Sequence, residues 1–343
     1  MRFCGTLLWL TGAFVLSGCS APEADRAETL VVYSAGPRPL AEAVVAAWEE
    51  KSGHQVELYA ATTGQVMARL EAERYRPRAD VVVFASALAA EAIKARGGLK
   101  PYRPDGLDAT RSEWHHPEHY YLATSAALVG VALREDGLLQ QPDWPELFSG
   151  DTGQRLTMPS PSRSGAAGEF VLAYALARGD GAWEDFRRIR ADGLEFAAAN
   201  SQAISGLLQG AYQGIVGAVD YLIYRQISEG APLRMHYPEG GSALVVRPIA
   251  IMADARAPHL AQDFVAHYLS PEMQQKVAEQ HLLPAREDTA VSETRGAHPL
   301  PPTLEMDFAE ALNDFRDVLR RFQIEVERAE VVRGDAARPD DSE

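Results

Sequence analysis

Short apolar runs rich in β-branched residues alternate with amphipathic helical stretches from Thr29 onwards, and this alternation is the strongest indication of the fold. The first unit is the clearest, because Leu30-Val31-Val32-Tyr33 predicts a buried strand and residues 40–51 predict a helix that ends at Gly53. Asp80-Val81-Val82-Val83-Phe84 predicts a further strand before another helix. Strands that alternate with helices in this way predict an α/β fold.

Two long strand-like segments, residues 120–133 and 243–252, enclose about a hundred residues that have their own α/β pattern. We therefore predict two α/β lobes joined by hinge strands. Lobe 1 would comprise residues 29–122 and 253–298, and lobe 2 would comprise residues 123–252. An appended C-terminal helix over 299–332 and a disordered tail over 333–343 would follow lobe 1. Apolar residues recur at helical spacing between Leu304 and Phe322, so this helix would pack on the body or face a partner.

The N-terminus has the features of an export signal. Arg2 precedes an apolar stretch over residues 3–15, which is shorter than the roughly 20 residues that span a bilayer. Leu16-Ser17-Gly18-Cys19 resembles the lipobox of bacterial lipoproteins, which implies a signal peptide over 1–18, lipidation of Cys19 and a polar tether over 19–28. The alternative is a plain secretory peptide that is cleaved nearby.

The cysteine content shows which forces can stabilise the fold, and the net charge limits which partners the protein can bind. Cys4 and Cys19 are the two cysteines, so the mature body has no disulfide and must depend on its apolar core. The formal net charge of −15 argues against nucleic acid, or an anionic membrane face, as a partner. We expect an extracytoplasmic, periplasmic monomer that meets the membrane through its lipid anchor and that uses no cofactor.

Small and polar residues follow the predicted strands, where open parallel sheets bind ligands next to helix N-termini. In lobe 1 these candidates are Ser34, Thr62, Thr63, Gly64 and Ser86, and in lobe 2 they are Ser162, Arg163, Ser164 and Gly165. Arg163 can make paired hydrogen bonds to phosphonate, phosphate or carboxylate oxygens. The alternative is that the small residues merely shape turns between strands and helices.

Several stretches, taken in order, resemble the family 1 extracellular solute-binding proteins, which include ferric-ion-binding and 2-aminoethylphosphonate-binding periplasmic proteins. The matching stretches are Leu30 to Ala35, Leu70 to Arg74 with Pro77 and Ala79-Asp80-Val81, Tyr237 to Gly241, and Ala261 to Gln274. The resemblance covers about residues 29–290. It implies a type II periplasmic binding protein fold that traps a small molecule between its lobes and delivers it to the permease of an ABC importer.

Asp220 and Tyr221 lie where the ferric-binding members of that family carry two adjacent tyrosines, and Gly36-Pro37-Arg38 occupies the region where they carry a histidine. Both differences from the ferric-binding members favour a small anionic or zwitterionic solute as the ligand, such as an organophosphonate or a phosphorylated metabolite. Ferric ion is the second candidate ligand. Asp220 would then pair with a ligand ammonium beside Tyr221, or it would cap the helix that follows.

Two other classes of protein are an enzyme and a ligand-sensing lipoprotein. The chain has no Gly-x-Ser-x-Gly, phosphate-loop, dinucleotide or His-Glu-x-x-His motif, so we do not expect an enzyme. His115-His116-Pro117-Glu118-His119 is interrupted by proline, which predicts a solvent-exposed loop rather than a metal site. A lipoprotein that senses ligand and reports to a membrane receptor would have the same fold.

Overall fold

The computed structural model describes residues 29–149, 155–296 and 300–329. The predicted signal peptide, Cys19 and the predicted tail lie outside the described residues. Within those described ranges, no helix is both long and apolar enough to serve as a membrane span.

Strands and helices alternate as the sequence predicts. The strands are β1 Thr29–Ser34, β2 Gln55–Ala60, β3 Val81–Val83, β4 Leu99–Lys100, β5 Leu122–Arg134, β6 Leu156–Pro159, β7 Glu195–Ala197, β8 Gly214–Val219, β9 Leu233–His236, β10 Ala243–Met252 and β11 Leu283–Pro284. The helices are α1 Arg38–Ser52, α2 Thr63–Ala72, α3 Ala87–Lys94, α4 Trp144–Leu147, α5 Gly165–Arg178, α6 Asp180–Ala191, α7 Asn200–Leu208, α8 Asp220–Ser228, α9 Pro258–Tyr268, α10 Pro271–Glu279 and α11 Phe308–Phe322. A π-helical turn, Gln323–Glu327, follows α11.

The strands form a mixed sheet in the order β2-β1-β3-β10-β5-β8-β6-β7. β1 is parallel to β2 and β3, and β6 is parallel to β7 and β8, whereas β5 and β10 are antiparallel to their neighbours. We call β1–β4, α1–α3, α9, α10 and β11 lobe 1, and β6–β9 with α4–α8 lobe 2. Each parallel group has helices in its crossover connections, which is how an α/β sheet buries both faces.

Strands β5 and β10 join the two lobes. β10 pairs with β3 through Ile249–Ile251, and β5 pairs with β8 between Val129 and Leu133. β5 and β10 pair with each other from Ala243 to Ile249, with a shift of register between Arg247 and Pro248. These two strands lie where the sequence predicts hinges; the predicted lobe boundaries at 122/123 and 252/253 remain predictions.

Asp80 holds lobe 1 together at the end of the sheet. Its buried carboxylate accepts a hydrogen bond from the Val31 amide at 2.9 Å and from the Arg256 and Ala257 amides at 2.6 and 3.1 Å. A buried carboxylate is tolerated when several donors satisfy it. Asp80 therefore connects β1 to the start of α9.

Helix α11 packs against both lobes. Leu88 of α3, Leu172 of α5 and Ala311 of α11 form a buried cluster. Partly buried residues complete this cluster, namely Met306, Phe308, Leu312, Phe315 and Val318. The apolar stripe of α11 is therefore covered by helices of the same chain, one from each lobe.

Candidate functional site

Arg247 is the residue at which the two lobes meet. It lies in β10, is only 5% exposed, and donates from Nη2 to the Ala35 carbonyl of lobe 1 at 3.3 Å. On the other side its guanidinium lies over the Tyr221 ring of α8 in lobe 2, 5.6 Å from the ring centre. An arginine buried between lobes, with further donors beyond these two contacts, is suited to hold an anion.

Glu169 of α5 approaches the same place from lobe 2. Its side chain is fully buried, and neither carboxylate oxygen has a hydrogen-bond partner of normal geometry among the described residues. Burial raises the pKa of Glu169 from 4.5 to about 8, while the nearby Ser86 hydroxyl and the charge of Arg247 oppose the rise. The carboxyl group therefore lies near a lobe 1 hydroxyl and the hinge arginine.

Ser34 and Ser86 of the predicted lobe 1 set are both buried. Ser34 precedes Ala35, whose carbonyl accepts from Arg247, and Ser86 lies near Glu169. Ser34 ends β1, and its hydroxyl accepts a hydrogen bond from the Gly36 amide at 3.2 Å. Ser86 precedes α3 and makes no side-chain cap, so its hydroxyl is available to the Glu169 side. These two residues support a site at the carboxyl ends of β1 and β3.

Thr62, Thr63 and Gly64 have local roles in the structure. The Thr62 hydroxyl caps α2 by accepting from the Gln65 amide at 3.3 Å, and the Gln65 side chain accepts from the Thr62 amide in return. Thr63 accepts a long hydrogen bond from the Ala85 amide at 3.4 Å, and Gly64 is an exposed residue in the first turn of α2. The alternative reading, in which such residues shape turns, fits Thr62 best.

The lobe 2 loop that the sequence predicts to bind an anion, residues 162–165, is hydrogen-bonded to the C-terminal segment. Both the Ser160 and Ser162 hydroxyls donate to the Glu327 carboxylate, Ser162 over 2.7 Å. Ser164 caps α5 by accepting from the Ala167 amide at 3.3 Å, while Arg163 and Gly165 are exposed. Ser162 thus binds an anionic group, but one that belongs to this chain.

Asp220, which the sequence predicts to pair with a ligand ammonium, has partners within the same chain. Its fully buried carboxylate receives Arg295 at 2.5 Å and the Tyr237 hydroxyl at 3.1 Å, and its other oxygen accepts from the Tyr221 amide at 2.6 Å. Burial raises the pKa of Asp220, and Arg295 opposes the rise. Because these internal partners use the carboxylate, a ligand ammonium would have to displace Arg295.

The position of Asp220 follows from a bulge in β8. Val216 and Ala218 pair with the adjacent residues Val131 and Gly130, so Gly217 is an extra residue in the strand. Its φ of +73° is a left-handed conformation that glycine adopts without strain. The bulge lies three residues before the start of α8, where Asp220 is buried and Tyr221 lies beside Arg247.

The histidine cluster is not the exposed loop that the sequence predicts. His116 is buried, and His115 accepts from the Ala123 amide at 2.9 Å through Nδ1 while its Nε2 lies 2.6 Å from the Thr110 hydroxyl. Burial lowers the pKa of His115 to about 4. These imidazoles are structural, because they tie the loop to the start of β5.

Arg247 and Glu169 were missed in the sequence, although each carries a recognisable signal. Arg247 is the one charged residue within β10, and Glu169 is the one charged residue of α5 before Arg178. A single charge within an otherwise apolar element is either paired inside the protein or reserved for function. Sequence alone does not say which elements face each other, so it could not bring these two side chains together.

The fold and the hinge site define a two-lobed, type II periplasmic binding protein. A family model described as "Bacterial extracellular solute-binding protein" matches residues 29–282. The chain belongs to this family, which confirms the resemblance found in the sequence. The family consists of binding proteins that serve transport, so the expectation that the chain is not an enzyme is also confirmed.

Individual proteins are similar over most of the chain. The chain is 23% identical over 289 residues to an uncharacterized protein of Haemophilus influenzae, covering 80% of this chain and 83% of that protein. Iron-bound HitA from Pseudomonas aeruginosa is similar with a TM-score of 0.74 and 23% identity, over 84% of this chain and 99% of HitA. AfuA from Actinobacillus pleuropneumoniae, with fructose-6-phosphate bound, is similar with a TM-score of 0.78 and 19% identity, over 88% of this chain and 99% of AfuA. At these identities the structural likeness concerns the fold.

Proposed function

We propose that this protein captures a small anionic or zwitterionic solute between its lobes and delivers it to the permease of an ABC importer. The observation that carries the proposal is Arg247, a buried cation that contacts Ala35 of lobe 1 and Tyr221 of lobe 2. An anion at this point would bridge both lobes, so binding would favour the closed form. Candidate ligands are organophosphonates and phosphorylated metabolites.

The residues around Arg247 support an anion more than a metal ion. Ser34 and Ser86 supply hydroxyls, and the first turn of α3 begins next to Ser86 with its free amide groups. Asp220, which would have been a ligand for ferric ion, is engaged by Arg295. The solved relatives include one with iron and one with fructose-6-phosphate, so ferric ion stays the second candidate.

Titration of the refolded, ligand-stripped protein tests the proposal. We expect organophosphonates or phosphate monoesters to raise the melting temperature and to give saturable heats in calorimetry, because a ligand that binds the native state stabilises it. Tight binding of ferric ion with a phenolate charge-transfer colour, and no response to any of these anions, would reverse the order of the two candidates.

We also propose that the protein is held at the membrane by lipid on Cys19. The Leu16-Ser17-Gly18-Cys19 sequence supports this, and the polar residues 20–28 would place the lobes at a distance from the bilayer. A sensing lipoprotein is the alternative use of the same fold. Growth on a transported ligand after deletion of the gene would separate the two uses, because uptake fails only if the protein serves import.

A further inference from the structure

The Arg247 guanidinium and the Glu169 carboxyl group lie within electrostatic reach of each other, yet they do not form an ion pair. Arg247 is among the causes that set the pKa of Glu169, but no salt bridge within 4.0 Å joins these two described residues. Each is almost completely buried. Because neither buried group satisfies the other by direct contact, a third group that bonds to both would lower the free energy of the site.

Glu169 lacks the internal partners that other buried carboxylates of this protein possess. Asp80 accepts from three amides, Asp220 is bound by Arg295, and Glu91 accepts from the Tyr121 hydroxyl at 2.9 Å. Among the described residues neither oxygen of Glu169 has a donor at normal hydrogen-bond geometry, although the Ser86 hydroxyl lies close enough to lower the pKa of this group. Leaving a buried acceptor unsatisfied costs free energy in the ligand-free protein.

We propose that Glu169 is a specificity-determining residue that accepts the ammonium group of a zwitterionic ligand whose anionic group lies at Arg247. The inference rests on the proposed function, because it places the anion at Arg247. A ligand hydroxyl would donate one hydrogen bond to Glu169, whereas an ammonium group donates up to three and also compensates its charge. One cation and one anion, held apart in one site, are complementary to a zwitterion.

Matched ligand pairs test this assignment on the full protein. The probes are O-phosphoethanolamine against ethyl phosphate, 2-aminoethylphosphonate against ethylphosphonate, and β-alanine against propionate. In at least one pair we expect the wild type to bind the amine at least tenfold more tightly than its amine-free partner. Glu169→Gln should remove this preference, since glutamine keeps the size of the side chain but cannot become a carboxylate.

Glu91→Gln is the matched control, because Glu91 is also a buried glutamate but lies against Tyr121 and His116. This variant should retain the amine preference. A wild type that binds amine and amine-free anions equally, or a Glu169→Gln variant that keeps the preference, overturns the role of Glu169 but leaves the anion site. If no anion of any pair binds, the proposed function and the role of Glu169 both fail.

A second measurement uses the wild type alone, so it does not depend on the folding of a variant. At neutral pH the Glu169 carboxyl group is largely protonated, and an ammonium group beside it would favour the carboxylate. Binding of the amine should release a proton from Glu169 to the buffer, while the amine itself stays protonated. Calorimetry in two buffers of different ionisation enthalpy should detect this proton release when the amines bind and not when the amine-free anions bind. Equal proton release by the amines and by the amine-free anions would contradict the assignment.

Discussion

Arg295 donates to Asp220 over 2.5 Å, and this buried ion pair joins the segment after β11 to the start of α8. Arg295 also donates to the His281 carbonyl of lobe 1, and Tyr237 and Tyr224 form a hydrogen-bonded pair beside the carboxylate. The pair therefore connects the two lobes next to the hinge. It is an internal contact at a position where the sequence predicts a ligand contact.

Removing one partner of this ion pair should destabilise the protein strongly. Asp220→Asn leaves Arg295 buried without its counter-charge, so we expect the free energy of unfolding to fall by roughly 3–5 kcal/mol. Denaturant unfolding measures the loss. Arg295→Met should cost a similar amount, and the double variant Asp220→Asn/Arg295→Met should cost clearly less than the sum of the two. Additive losses would show that the two side chains act independently.

Replacing the hinge arginine should weaken anion binding far more than replacing the loop arginine. Arg247→Met removes a charged donor from between the lobes, and hydrogen bonds to charged groups contribute roughly 1.5–3 kcal/mol, so the dissociation constant should rise about 10- to 100-fold. Arg163→Met is the matched control, because Arg163 is exposed in the lobe 2 loop. Calorimetry measures both affinities, with thermal unfolding as a check on folding. A larger loss in Arg163→Met would restore the loop as the anion site.

Much of the fold follows from the sequence because strand and helix patterns are local. The hinge strands β5 and β10 are long apolar runs, and they form where the pattern predicts them. The candidate site was harder to predict, because the partners of Asp220 and Ser162 lie 75 and 165 residues away. Polar groups after strand ends indicate a site only if no distant segment of the same chain has already bound them.

Stability should depend on pH through Glu169. Its pKa is about 8 in the folded protein and near 4.5 when unfolded, so the unfolded state loses its proton first as pH rises. The free energy of unfolding should therefore fall between about pH 5 and pH 8, by up to about 1.4 kcal/mol per pH unit. Its neighbour Tyr121 does not change charge in this window, because burial raises the pKa of that phenol. Denaturant unfolding of Glu169→Gln should show a flatter profile; identical profiles would contradict the prediction.

Disrupting the contact of α11 with both lobes should lower the free energy of unfolding and enlarge the radius of gyration. Phe315→Asp places a charge in the cluster formed with Leu88 and Leu172, so we expect the free energy of unfolding to fall by roughly 2–4 kcal/mol. Asn313→Asp introduces the same charge at an exposed position of α11 and should have little effect. Denaturant unfolding gives the stability, and small-angle scattering gives the radius of gyration, which should increase only for Phe315→Asp. Equal behaviour of the two variants would sink this prediction.

Cys19→Ser should release the protein from the membrane. Without the thiol no acyl chain can be attached, and a single methylene of such a chain contributes about 0.8 kcal/mol to membrane binding. Fractionation of cells should place the wild type with membranes and the variant in the soluble periplasmic fraction. Cys4→Ser, within the predicted signal, is the control and should stay with the membranes. A membrane-bound Cys19→Ser variant would rule out lipidation at this residue.

Two register irregularities, between Arg247 and Pro248 where β10 pairs with β5 and between Gly130 and Val131 where β5 pairs with the bulged β8, limit where the molecule can bend. Interrupted ladders have fewer hydrogen bonds to lose, so rotation of one half against the other would be absorbed by a few peptide units. Deuterium uptake at the Arg247, Gly130 and Val131 amides would then report the rotation of one lobe against the other, while the rest of each strand stays protected.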